Sequence, residues 1–183
     1  MTDWFGRPID SDMLEQLGVG FATGRAQAPD EGIVFPTSLR KSFEEYLASP
    51  VRRVRRREEI RDFLRGCRYE EDSSAFRRLD VWLPPAEFER RRVGDCEDHA
   101  IWAWVQLVRL GVDARFMTGY FKTLHAWVVL YPDVRVFEAT DKHEDYSPGE
   151  PGPLYDPLWS VDGRLRFYWH RPDFWRGPAL SRP

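Results

Sequence analysis

Gly94-Asp95-Cys96-Glu97-Asp98-His99-Ala100, with the apolar run behind it, decides how the rest of the chain is read. Ile101, Ala103, Trp104, Val105, Leu107, Val108 and Leu110 recur at helical spacing, and Gly111 closes the run. Asp95 suits an N-cap, and Asp98 three residues on approximates a capping box. The spacing predicts a buried helix of roughly four turns with Cys96 in its first turn. At such a position, backbone N–H groups and the positive end of the helix favour thiolate over thiol. A base brought alongside would then make Cys96 a nucleophile. The plainer alternative is a small residue buried in a core helix, and the residues downstream of Gly111 decide between the two.

Composition sets the bounds. At 183 residues, 42% hydrophobic and 31% charged, the chain is expected to fold as one globular domain with a real core. A net charge of -3 gives no drive toward nucleic acid or a membrane surface. No stretch approaches membrane-spanning length, and the N-terminus has no apolar leader core. Cys67 and Cys96 stand in unlike contexts and make no disulfide framework, so a reducing, cytoplasmic setting is expected. Arg52, Arg53, Arg55, Arg56 and Arg57 form a basic run, but Glu58, Glu59 and Asp62 follow at pairing distance. A solvated helix face accounts for them, and neither a nucleic-acid nor a membrane partner is expected.

Residues 1–36, rich in Gly, Asp, Ala and Pro, read as an irregular arm with one short helix near 12–17. Thr37 or Ser38 is placed as the cap of a helix carrying Leu39, Phe43, Tyr46 and Leu47 and ended by Pro50. Ile60, Phe63 and Leu64 mark a short helix stopped by Gly66, with Cys67 beyond it as a packing residue. Another short helix spans 85–91. After Gly111 the period changes to alternation, giving strands over 114–121, 124–131 and 134–139, with a turn at Pro132-Asp133. A helix followed by an antiparallel meander is an α+β arrangement. Beyond Thr140 the chain reads as loop, closing in aromatics (Phe167, Tyr168, Trp169, Phe174, Trp175) that pack as a tail. The expected division is a core of about 37–141, the arm at 1–36 and an aromatic-rich extension at 142–183.

Register then selects a triad. If the turn at 132–133 is tight, Tyr131 pairs with Val134, Val129 with Val136, Trp127 with Glu138 and His125 with Thr140. His125 and Glu138 become diagonal neighbours on one face, close enough for the carboxylate to orient the imidazole. Asp141 falls on the opposite face, and a slip of one residue would exchange the two acids. A helix packed on the His125 face would bring Cys96 to the ring's other nitrogen. Nucleophile, base and orienting acid are then Cys96, His125 and Glu138, the roles of an acyl-transfer triad.

Residues 69–141 resemble the transglutaminase-like superfamily, particularly the bacterial transglutaminase-like cysteine proteinases. The matching stretches are Asp80-Val81-Trp82-Leu83-Pro84 with Glu87, Gly94 to Ala100, Leu110 to Ala114, His125-Ala126-Trp127 and Phe137-Glu138-Ala139-Thr140. The resemblance implies a papain-like cysteine-hydrolase core, with a Cys-bearing helix on an antiparallel sheet. By position Cys96 looks like the nucleophile, His125 the base and Glu138 the third member. The family usually has Asp where this chain has Glu138, one methylene longer.

The expected activity is a cysteine peptidase or amidase working through a thioester on Cys96. Transglutaminase and protein deamidase are the nearest alternatives, because only the acyl acceptor separates them, and an inactive peptide-binding module of the same fold is the third. The substrate is a protein or peptide, with Trp82 and Trp127 as candidates to line the cleft. The Cys96 N–H is the natural oxyanion donor. A zinc reading would draw on Cys96, His99, His125 and His143, but four ligands at the usual spacing are missing. No metal and no cofactor is therefore expected, and the oligomeric state is left open.

Overall fold

The computed structural model describes residues 40–72, 81–121, 123–132, 134–141 and 155–170. The expected helix near 12–17, His143, Phe174 and Trp175 lie outside them, and the cap expected at Thr37 or Ser38 is instead Ser42. Helix α1, Phe43–Ala48, is capped by Ser42, whose Oγ accepts the Glu45 N–H while the Glu45 carboxylate accepts the Ser42 N–H. That reciprocal box fixes the start. Helix α2, Arg57–Arg65, buries Ile60, Phe63 and Leu64 and ends at Gly66, as its sequence predicts. Helix α3, Pro85–Arg91, likewise holds its predicted bounds, with Pro at the first position where no N–H is needed.

Helix α4, Cys96–Arg109, is the axis of the molecule and is buried from Glu97 to Leu107. It is enclosed because its two tryptophans face opposite ways. Trp102 stacks on Phe63 of α2 at 4.0 Å and donates to Glu89 of α3, whereas Trp104 donates to the Ala114 carbonyl on the sheet side. Gly111 ends the helix region at φ 79°, a left-handed conformation suited to glycine. The expected capping box at the other end is not formed. Asp95 holds the cap position without a side-chain cap bond, and Asp98 Oδ1 instead accepts the Leu83 N–H at 2.7 Å. The buried loop before α3 needs that acceptor more than the helix needs a second cap. Gly94 lies so close to the Asp98 side chain that a Cβ there would collide with it.

Two parallel strands, β1 (Arg68–Tyr69) and β2 (Val93–Gly94), pair with each other and pin the chain just ahead of Cys96. The main sheet has the order β5-β4-β3-β6-β7 and is antiparallel throughout. Its strands are β3 (Ala114–Phe121), β4 (Thr123–Leu130), β5 (Arg135–Phe137), β6 (Asp156–Asp162) and β7 (Phe167–Trp169). Val129 pairs with Val136 and Leu130 with Arg135, the register that the tight-turn count gives.

Two differences from the sequence reading matter. First, α4 packs on the face carrying Phe116, Ala126, Val128 and Leu130, the side opposite Trp127 and Val129, which join Met117, Val136 and Tyr155 in a second apolar cluster. His125 belongs by alternation to that second face. Second, the expected core boundary at 141 falls short. Strands β6 and β7 come from the stretch read as loop and tail, and β6 pairs with β3 in the middle of the sheet. Pro157 disguised it: an interior proline argues against a central strand, yet here it sits beside the β6 irregularity at Thr118/Gly119, where the ladder is already broken. The fold is α+β with a papain-like core, one long helix against an antiparallel sheet.

Candidate active site

The site forms where the start of α4 meets the start of β4. Cys96 is the first residue of α4 and is partly buried. His125 lies in β4, opposite Gly119 of β3, so no side chain fills the facing position and the imidazole has room. Glu138 follows β5 directly and is 3% exposed. His125 Nε2 meets Glu138 Oε2 at 3.0 Å, and Cys96 lies close enough to the imidazole to raise its pKa. The three residues named from sequence are therefore brought together. Strand alternation alone did not anticipate the route, because His125 and α4 start from opposite faces and meet at the sheet's end.

The electrostatics run in one direction along this chain of groups. Burial by itself would lower the His125 pKa, but hydrogen bonds to Cys96 and Glu138, and the charges on both, push it up to about 10. Glu138 opposes a large burial penalty with donors. His125 Nε2 and the Tyr155 hydroxyl meet Oε2, at 3.0 and 2.9 Å, while the Thr140 N–H and Oγ1 meet Oε1, at 3.0 and 2.7 Å. Against that burial, the His125 hydrogen bond and charge and the two Thr140 donors hold the carboxyl below its ordinary range. The imidazole is thus held in its charged form beside the Glu138 carboxylate.

The other side of Cys96 is acidic. Its Sγ donates to Glu97 Oε2 at 3.2 Å. Burial first, then the negative charges of Cys96, Asp95 and Asp98, push Glu97 well above its usual pKa. Asp98 is raised in the same way, with burial ahead of Asp95, and Asp95 is raised chiefly by burial. Asp72, Asp95 and Glu97 place one oxygen each within 4.8 Å of one another, and the Val81 N–H donates to Asp72. This all-oxygen grouping differs from the Cys/His set considered from sequence, and it suits a hard cation better than zinc. His99 of that set is fully buried, with Nδ1 2.7 Å from the Asp95 carbonyl.

Trp82 and Trp127 do not line a cleft. They are 2% and 0% exposed, Trp82 among Phe43, Phe116 and Trp159 and Trp127 against Tyr155, so both are core residues. The exposed aromatic near the thiol is Tyr69, 48% exposed on β1 and close enough to Cys96 to feel its charge. Tyr155 was missed because it arrives 17 residues after Glu138 with no local signal. Thr140 had one: it stands two residues beyond the acid it binds, a spacing at which side chain and backbone meet.

Among solved structures, this chain is similar to LapG of Legionella pneumophila. One LapG structure superposes with a TM-score of 0.52 at 22% identity, covering 73% of this chain and 72% of that one. The fold is transglutaminase-like. Calcium-bound LapG matches with a TM-score of 0.50 at 23% identity, over 62% of this chain and 66% of LapG. EGTA-treated LapG gives 0.52 at 22%, over 64% and 67%. The chain thus spans about two thirds of the calcium-bound LapG chain. At 22–23% identity the likeness shows the fold. No protein-family model and no curated protein matches the sequence.

Proposed function

We propose that this transglutaminase-like chain is a cysteine peptidase or amidase, with Cys96 as nucleophile, His125 as its acid–base partner and Glu138 orienting the ring. The observation that carries the reading is the 3.0 Å hydrogen bond between His125 and a buried Glu138, with Cys96 at the start of α4 near enough to raise the pKa of the same imidazole. The thiolate would attack an amide carbonyl, while the Cys96 N–H at the open end of α4 meets the developing oxyanion. His125, charged in the resting state, would protonate the departing amine, and water deprotonated by the same ring would then hydrolyse the thioester. Tyr69 is the exposed aromatic best placed to meet a peptide beside the thiol. A peptide substrate and a cytoplasmic setting are part of this proposal.

The test is turnover of a mixed peptide-amide library, with Cys96→Ala as control and intact-mass trapping of an acyl adduct. The reading expects an adduct on Cys96 in the wild type and none in the variant. Turnover unaffected by Cys96→Ala would end it. A glutamine-plus-amine assay in the same series separates hydrolysis from transamidation, since the acceptor is the only chemical difference.

A second element has its own support. One LapG structure is described as calcium-bound, and the carboxylates by the α4 start offer oxygens only. Asp72, Asp95 and Glu97 would hold such an ion, and the charge it supplies would offset three buried acids beside the thiol. Calorimetric titration with calcium, repeated with Asp95→Asn, tests this without any activity assay. Binding that the variant loses supports it, and no heat in the wild type removes it.

A further inference from the structure

We infer that Tyr155 is a positioning residue for the acid of the triad: its hydroxyl fixes Glu138 Oε2 at the point where His125 Nε2 also binds. The inference deepens the proposed function and rests on it for its kinetic arm. The glutamate is what makes the residue necessary. One more rotatable bond than aspartate, and a broad terminal torsion, leave the carboxylate free to swing out of the imidazole plane. Backbone and hydroxyl of Thr140 anchor Oε1 alone, which leaves rotation about the carboxylate's own axis open. The Tyr155 hydroxyl, 2.9 Å from Oε2, closes that freedom.

The phenol is itself well held. Its ring stacks on Phe121 at 4.9 Å and 20°, packs against Trp127 at 4.9 Å, and is 6% exposed. His125 sits 6.4 Å away, centroid to centroid, and is framed by the same Phe121 and Trp127. One aromatic cluster therefore sets the positions of both partners of Glu138. Among the described residues, the titratable groups facing Glu138 are His125 from β4, Tyr155 ahead of β6 and, beyond the imidazole, Cys96. A neutral phenol can only donate to this carboxylate, so it supports the charged form over the acid.

Tyr155→Phe keeps the ring and deletes the donor. The acid limb of kcat/KM should move up by about one pH unit, with kcat falling about three- to tenfold and KM unchanged. A ring that merely packs would leave the limb in place, and an unmoved limb overturns the inference. Carbon-13 titration of the Glu138 carboxyl reads the same shift without turnover: an upward move supports the inference even in a chain that cleaves nothing, and identical titrations reject it. A wild type without amide turnover would instead refute the proposed function. Should the variant not fold, solvent exchange of the wild-type Tyr155 hydroxyl proton decides. Protection is expected, and free exchange overturns the assignment.

Discussion

Two sets of buried carboxylates flank the Cys96–His125 pair, and they meet opposite fates. Glu138 is surrounded by donors and stays ionised despite its burial. Asp95, Glu97 and Asp98 are surrounded largely by one another, and their pKa values rise. The residue type is the same; the neighbours decide. On the His125 side a negative charge is stabilised and used to orient a ring. On the helix side negative charge accumulates until protons or a cation must answer it.

The largest effect that would break this contrast is chemical. Cys96→Ala should remove amide turnover altogether, while Cys67→Ala, in a buried site at the end of α2, should leave it intact. Glu138→Gln should come next, lowering kcat by about 10²- to 10⁴-fold and lowering the melting temperature as well, since the isostere keeps the packing but removes the charge that pairs with His125. A rate within threefold of wild type would detach the donor-rich acid from the chemistry.

Saturating calcium is expected to sharpen the other half. At a hundred times its dissociation constant a bound ion adds about 2.7 kcal/mol to stability, or about 5–10 °C in melting temperature, reversed by EGTA. In EGTA the signs of the pKa shifts set a pH dependence. Raised acids bind protons in the folded chain that the unfolded chain releases, so stability should be lost as pH rises above the ordinary carboxyl range and through their folded values. His125 acts in the same sense, losing its contribution between about 6.5 and about 10. Glu138 runs the other way, its contribution vanishing only as pH falls below 4.5. Melting curves from pH 5 to 9 that are flat in EGTA would contradict the crowding of acids. The smallest effect is steric: Gly94→Ala should cost about 1–3 kcal/mol, because the Asp98 side chain must move to admit the methyl.

Much of this was legible from local pattern. The Gly94-to-Gly111 stretch marks α4, alternation marks β3 and β4, and a tight turn at 132–133 gives the β4–β5 register that makes Glu138 the neighbour of His125. What was not legible is long-range. Strand β6 enters the sheet at β3, some forty residues earlier in the chain, and Pro157 argued against it. Trp82 and Trp127 looked like cleft residues because they stand beside the motifs, but adjacency in sequence says nothing of which way an indole points. The same holds for Asp98, whose spacing suggested a cap and whose partner is a loop N–H fifteen residues back.

The place of β6 has an outcome for biosynthesis. As the chain leaves the ribosome, Cys96, His125 and Glu138 emerge before residues 156–162, so β3 then has β4 on one edge and nothing on the other. Tyr155 arrives with the missing strand, and the sheet closes in the same event that steadies the triad's acid. Under the proposed role of Tyr155, Glu138 gains its anchor only when most of the surrounding scaffold has been made.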